Sequence, residues 1–123
     1  MKIVPSDKLD IEACSELSNA NDELVLKHLS ELFEWLQDPN WPVSKPIAIR
    51  LSKLGIPLVK EINKAISGSD QTLKYSILTI LYPLLTTDVI IKVKPALERL
   101  ALNPTQDEKL EELDLVSKEI LNL

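Results

Sequence analysis

The sequence predicts an all-α fold of about seven helices, packed as a stack of antiparallel pairs. Three observations carry that reading. Apolar residues recur at helical spacing between proline, glycine and asparagine breaks. Only two glycines occur, Gly55 and Gly68, too few for the tight turns of an all-β chain or for a glycine-rich phosphate loop. A pattern of about 30 residues repeats along the middle of the chain.

Taken in order, Asp10 is placed to cap a short helix through Ile11, Ala13, Cys14 and Leu17. Asn19 or Asn21 opens a longer second helix with an apolar stripe of Leu24, Leu26, Leu29, Leu32, Phe33 and Leu36. It stops near Gln37-Asp38-Pro39-Asn40, because Pro39 lacks an N–H and disfavours helix at the residue before it. A third helix starts near Ser44 and ends before Gly55 in the left-handed region. Ile56-Pro57 leads a fourth helix to about Ser67, with Pro57 suited to a first-turn position. The fifth runs from Gln71 to Leu84 and meets Pro83 near its end. The sixth, capped by Thr86 or Thr87, extends to Leu102 with a kink expected at Pro95. Thr105 and Glu108 spell a capping box for the seventh, along Leu110, Leu113, Val116, Ile120 and Leu121.

A shift of 30 residues places the Gln37–Asn40 turn on Ser67-Gly68-Ser69-Asp70, and Val43, Ile47 and Leu51 on Leu73, Ile77 and Leu81. A shift of 31 places Leu58, Val59, Ile62, Ala65 and Ile66 on Val89, Ile90, Val93, Ala96 and Leu97. No single helix pair can bury its apolar face alone, so recurring pairs must stack into one core. The Asp-Pro-Asn turn, the Leu-Ser-Lys-Leu-Gly helix end and the Ile-Pro-Leu-Val opening that follows resemble a short bacterial HEAT repeat. The expected organisation is therefore a single HEAT-like domain over 1–123, a right-handed α-α superhelix. Residues 1–20 form an N-terminal cap helix, 21–103 the repeats and 104–123 a C-terminal cap helix.

A closer likeness lies in Glu34-Trp35-Leu36-Gln37-Asp38-Pro39-Asn40-Trp41-Pro42-Val43, followed by Lys45-Pro46-Ile47. This stretch resembles a small bacterial family of unknown function with a Trp-Leu-Gln-Asp-x-Asn-Trp-Pro-Val signature. Leu54-Gly55-Ile56-Pro57-Leu58, Lys74-Tyr75 and Asn103-Pro104-Thr105 extend the similarity over nearly the whole chain. The resemblance implies a helical, HEAT-like domain and supplies no activity.

Bulk properties narrow the function classes. A chain of 123 residues, 45% hydrophobic with mean hydropathy +0.02, can build a core without staples. The single cysteine, Cys14, has no internal disulfide partner, which together with the lack of a signal-like N-terminus suggests a cytoplasmic protein. The longest apolar stretch, Tyr75 to Leu85, is about half the length of a membrane span. Net charge is −5, unevenly spread. Residues 1–41 carry net −6, residues 42–99 net +5 and residues 100–123 net −4. The basic centre reads either as internal charge complementarity or as a face for an acidic protein partner. The residues that would form such a face are Lys60, Lys64, Lys92 and Arg99 on second helices of the pairs, with Trp41 as an exposed aromatic anchor.

Catalytic, metal and cofactor sites are expected to be absent, and the leading expectation is a non-enzymatic interaction module. His28 is the sole histidine, in the register of Leu58 and Val89, which suggests packing. Glu108, Glu111, Glu112 and Asp114 read as a solvated cap face. Trp35 and Trp41 read as packing residues, and Asn40 as a partner for helix-start amides. One competing expectation is an enzyme or ligand pocket formed by Trp41, His28 and Cys14. The other is nucleic-acid backbone binding along the lysines, which the lack of interleaved aromatics disfavours.

Overall fold

The computed structural model describes residues 2–123, and all their regular structure is helical. Asp10 opens α1 (Ile11–Asn19) by accepting the Ala13 N–H, and the segment ahead of it is tied down through Lys2 and Ser6 on the same carboxylate. Asn21 caps α2 (Asp22–Lys27) by accepting the Leu24 N–H at 2.9 Å. The long second helix expected from the stripe is broken at His28, and the chain resumes as α3 (Leu29–Glu34).

The turn after α3 is built around Ser44, whose hydroxyl lies 2.7 Å from the carbonyl oxygens of both Trp35 and Asp38. Asp38 accepts the Asn40 N–H at 2.8 Å, so Asn40 is itself held in an Asx turn instead of capping a helix. α4 (Ser44–Ser52) follows, and Gly55 takes φ +71 on the way to α5 (Leu58–Ile66), where an L side chain would be strained. Asp70 caps α6 (Gln71–Ser76) through the Leu73 N–H.

The fifth expected helix is not uniform. α6 widens into a π-helical turn at Ile77–Leu81 and tightens into a 3₁₀ turn at Tyr82–Leu84. Pro83 explains both, since its ring would clash with the Thr79 carbonyl and it has no N–H to donate. The ladder instead lengthens, with the Tyr82 N–H reaching the Ile77 carbonyl. α7 (Thr87–Leu102) runs through Pro95 without interruption. Pro95 and Ile91, whose carbonyl the proline leaves unpaired, both face solvent, so water can satisfy the vacancy.

Thr105 and Glu108 form both halves of the capping box on α8 (Gln106–Leu110). The expected seventh helix then breaks at Glu111–Glu112, with Glu112 left-handed at φ 58, before α9 (Leu113–Leu121). The described residues thus hold nine α-helices where about seven were expected, the difference being the breaks at His28 and Glu112.

The helices pack in two rows. α1, α4 and the π-helical turn contact one another in succession, as do α3, α5, α7 and α9. Between the rows lies one continuous core that extends from Ile3 to Leu113. The repeat positions supply it: Val43, Ile47, Leu51, Ile77 and Leu81 from one row, Leu58, Ile62, Ile66, Val89, Val93 and Leu97 from the other, all buried. Each such side chain contributes about 1.5–3 kcal/mol against the entropy of ordering the chain.

Candidate interaction surface

α5 and α7 are neighbours in one row and bury one stripe each in the shared core, Leu58, Ile62 and Ile66 on α5 and Val89, Val93 and Leu97 on α7. Their outward sides therefore belong to one surface. Lys60 and Lys64 stand one turn apart opposite the buried stripe of α5. Lys92 and Lys94 stand exposed on the two flanks of α7. None of the four makes a hydrogen bond or ion pair among the described residues. The same surface also carries Asp88 and Glu98, and the half-buried Glu61 lies at its edge. The Asp88 carboxyl is held below the usual range, first by the Thr86 hydroxyl and, more weakly, by the charge of Lys92.

Arg99 does not join that surface as a free cation. Its guanidinium forms a two-pronged contact with Glu108, Nη1 to Oε1 and Nη2 to Oε2, each 2.8 Å, and Nη2 also donates to the Ile66 carbonyl. Lys74, a further member of the basic centre, is fully buried with Nζ 2.7 Å from Glu108 Oε2. Glu108 has no exposed surface, so the expectation that it lies on a solvated acidic face is overturned. Glu111 and Glu112 are exposed and Asp114 is half-buried.

Glu108 and Arg99 are each shifted toward the charged form. Hydrogen bonds from Arg99 hold the Glu108 carboxyl well below its ordinary range, outweighing the opposing effect of burial, with Lys74 and the Thr105 N–H assisting. Glu108 in turn raises the Arg99 guanidinium. Arg50 is a third central cation with an internal role, donating from Nη2 to the Ala20 carbonyl at 2.9 Å and to Asp22 at 2.7 Å. The sequence carried no signal for Lys74: in the 30-residue register it falls on Ser44, itself polar, and the burial of both positions emerges only in the fold.

The residues of the expected pocket each have their own partner. Trp41 is half-buried, its ring centroid 5.7 Å from that of Trp35 and tilted by 58°, in an edge-biased aromatic pair. His28 is half-buried at the break between α2 and α3, with Nδ1 2.9 Å from Glu31. Cys14 is buried with Sγ 3.9 Å from the Val43 carbonyl, and burial followed by the charge of Asp10 raises its thiol pKa. None of these three residues lines the groove beside Phe33 and Leu73, the one at Asp10 and Ala13, or the one at Gln71 and Tyr75. Among the described residues, no three His, Cys, Asp or Glu side chains gather closely enough to hold a metal ion.

One feature was not foreseen from the sequence. A groove of about 280 Å³ lies between α3 and α5 and is closed at one end by the turn before α6. Phe33, Ala65 and Leu73 supply its apolar lining, and Glu34, Glu61, Lys64 and Asp70 its charged rim. Periodicity shows which residues leave a helix outward but does not show how far two neighbouring helices stand apart.

No helix is long and apolar enough to cross a membrane among the described residues. The chain belongs to the family described as a domain of unknown function, DUF5071, whose profile matches residues 3–121. No curated protein matches it.

Proposed function

We propose that this DUF5071 member is a non-enzymatic protein-interaction module, a HEAT-like helical stack that presents the outward side of α5 and α7 to an acidic protein partner in the cytoplasm. The supporting observation is the division among the basic residues. Arg50, Lys74 and Arg99 are satisfied internally, whereas Lys60, Lys64, Lys92 and Lys94 sit exposed on adjacent helices and form no ion pair among the described residues. Exposed lysines at fixed positions set the orientation of an acidic partner more than they add raw affinity. Trp41 then serves the turn against Trp35, and Arg99 serves the core, so neither is needed at the contact.

Binding of poly-L-glutamate at low salt tests this reading, compared between two doubly substituted variants of equal net charge. Lys60→Glu with Lys92→Glu reverses two charges on the proposed face. Lys45→Glu with Lys53→Glu reverses two exposed charges at α4, in the other row. The first pair is expected to lower affinity at least tenfold and the second less than threefold. Equal losses would show only a net-charge effect and refute the assignment of the face. Duplex DNA bound more tightly than poly-L-glutamate, with a steep salt dependence, would transfer the face to nucleic acid.

A further inference from the structure

The groove between α3 and α5 combines an apolar lining with an acidic mouth. Phe33 and Leu73 line it, and three carboxylates surround it against the single cation of Lys64. Two of those carboxylates come from opposite walls, Glu34 from α3 and Glu61 from α5. Glu34 is exposed and has no ion-pair or hydrogen-bond partner among the described residues. Glu61 accepts only a long hydrogen bond, 3.3 Å, from the Ser30 hydroxyl. Asp70 gives one oxygen to the Leu73 N–H and keeps the other free. Even with Lys64 counted, the mouth carries a surplus of two negative charges.

A volume of about 280 Å³ is at or below the lower end for small-molecule pockets, and suits one long side chain better than a cofactor. The side chains with an apolar stem and a cationic tip are lysine and arginine. Arginine matches better, because its planar guanidinium offers five donors and can engage carboxylates on two walls together.

We infer that the groove between α3 and α5 receives an arginine side chain of a partner polypeptide, its stem against Phe33, Ala65 and Leu73 and its guanidinium between Glu34 and Glu61. This site adjoins the lysine surface on α5 and α7, sharing Lys64 at its rim and Glu61 at its edge, and is of opposite charge. A partner that engages both would carry acidic and basic elements side by side.

The test is a titration of the ¹⁵N-labelled chain with N-acetyl-arginine amide, followed by NMR. N-acetyl-citrulline amide, its uncharged isostere, is the matched control. The arginine probe is expected to shift the Ala65, Gly68 and Leu73 amides saturably, with the citrulline probe at least fivefold weaker. Glu34→Gln with Glu61→Gln, both in surface positions that preserve shape, should lower the arginine affinity at least fivefold. The same variant should leave poly-L-glutamate binding undiminished, which separates this site from the lysine surface. Equal binding of the two probes, shifts that survive the double substitution, shifts spread over acidic residues elsewhere, or no saturable shift would each overturn the proposal.

Discussion

Replacing Glu108 by glutamine removes one negative charge and keeps the shape of the side chain, and the geometry sets what that removal costs. Lys74 is left with its ammonium in the interior, its side chain only 2% exposed, without a counter-ion. Arg99, with 35% of its side chain exposed, can turn toward water and loses less. Breaking a buried ion pair from one side typically costs about 3–5 kcal/mol, and the amide oxygen of glutamine can still accept one hydrogen bond, which places Glu108→Gln near about 3 kcal/mol. Glu108→Ala also removes the carboxylate that accepts the Thr105 N–H in the capping box, adding about 1 kcal/mol. Domains of this size hold about 5–15 kcal/mol in total, so either change takes a large share.

Urea unfolding followed by the fluorescence of Trp35 and Trp41, with circular dichroism as a second probe, measures these losses. Lys74→Met combined with Glu108→Gln removes both buried charges, and should recover about 2 kcal/mol or more relative to Glu108→Gln alone. A Glu108→Gln loss below about 1 kcal/mol, or a double variant equal to the sum of its singles, would refute the reasoning.

Two further predictions concern acid and backbone strain. Glu108 and Asp10 both have folded-state pKa values below their unfolded ones, Glu108 chiefly through Arg99 and Asp10 chiefly through Lys2. Their stabilisation is complete above the ordinary carboxylate range of about 4 and is lost as pH falls toward the folded values. The urea midpoint of the wild type should therefore fall steeply below about pH 4, and Glu108→Gln should flatten that limb; an unchanged slope would count against it. At the left-handed positions, Gly55→Ala should destabilise by about 1 kcal/mol while Glu112→Gly should stabilise by a few tenths to about 1 kcal/mol. Urea midpoints that move in the same direction for both would contradict the backbone argument.

The fold class was legible because the 30-residue register marks positions that the core must bury. Val43 and Leu73 through Leu51 and Leu81, and Leu58 and Val89 through Ile66 and Leu97, occupy the interior or its margin as the alignment requires. Caps that rest on a side chain and the backbone a turn away were equally readable, as at Asp10, Asn21 and Thr105. The interruptions at His28 and Glu112 were not readable. Neither carries glycine or proline, so no local breaker marks the position. At Pro83 the breaker was visible, but a missing N–H and a ring clash do not say in advance whether the ladder widens, tightens or ends. For the candidate site, the lysines were legible as outward residues of α5 and α7. The capture of Arg99 by Glu108 depends on a contact that helix periodicity does not encode.

The charge distribution shows how a pattern in sequence changes meaning once folded. Of the nine basic residues in 42–99, Arg50 reaches Asp22 in the acidic first segment, while Lys74 and Arg99 reach Glu108 in the acidic last segment. The excess at the centre is thus in part the other half of acids placed at the ends, which ties α4 to α2 and both α6 and α7 to α8. What remains outward is six lysines, Lys45, Lys53, Lys60, Lys64, Lys92 and Lys94, against Glu61, Asp70, Asp88 and Glu98, net +2 where the sequence showed +5. A surplus that small gives little attraction at a distance, because ions screen it within about 8 Å at physiological salt. Any selectivity must then come from where the charges stand: Lys60 and Lys64 together on α5, Lys92 and Lys94 on the two flanks of α7, and an acid-rimmed groove at α3. Two variants with the same net charge but reversed lysines on different rows would behave alike if total charge governed binding, and differently if position does.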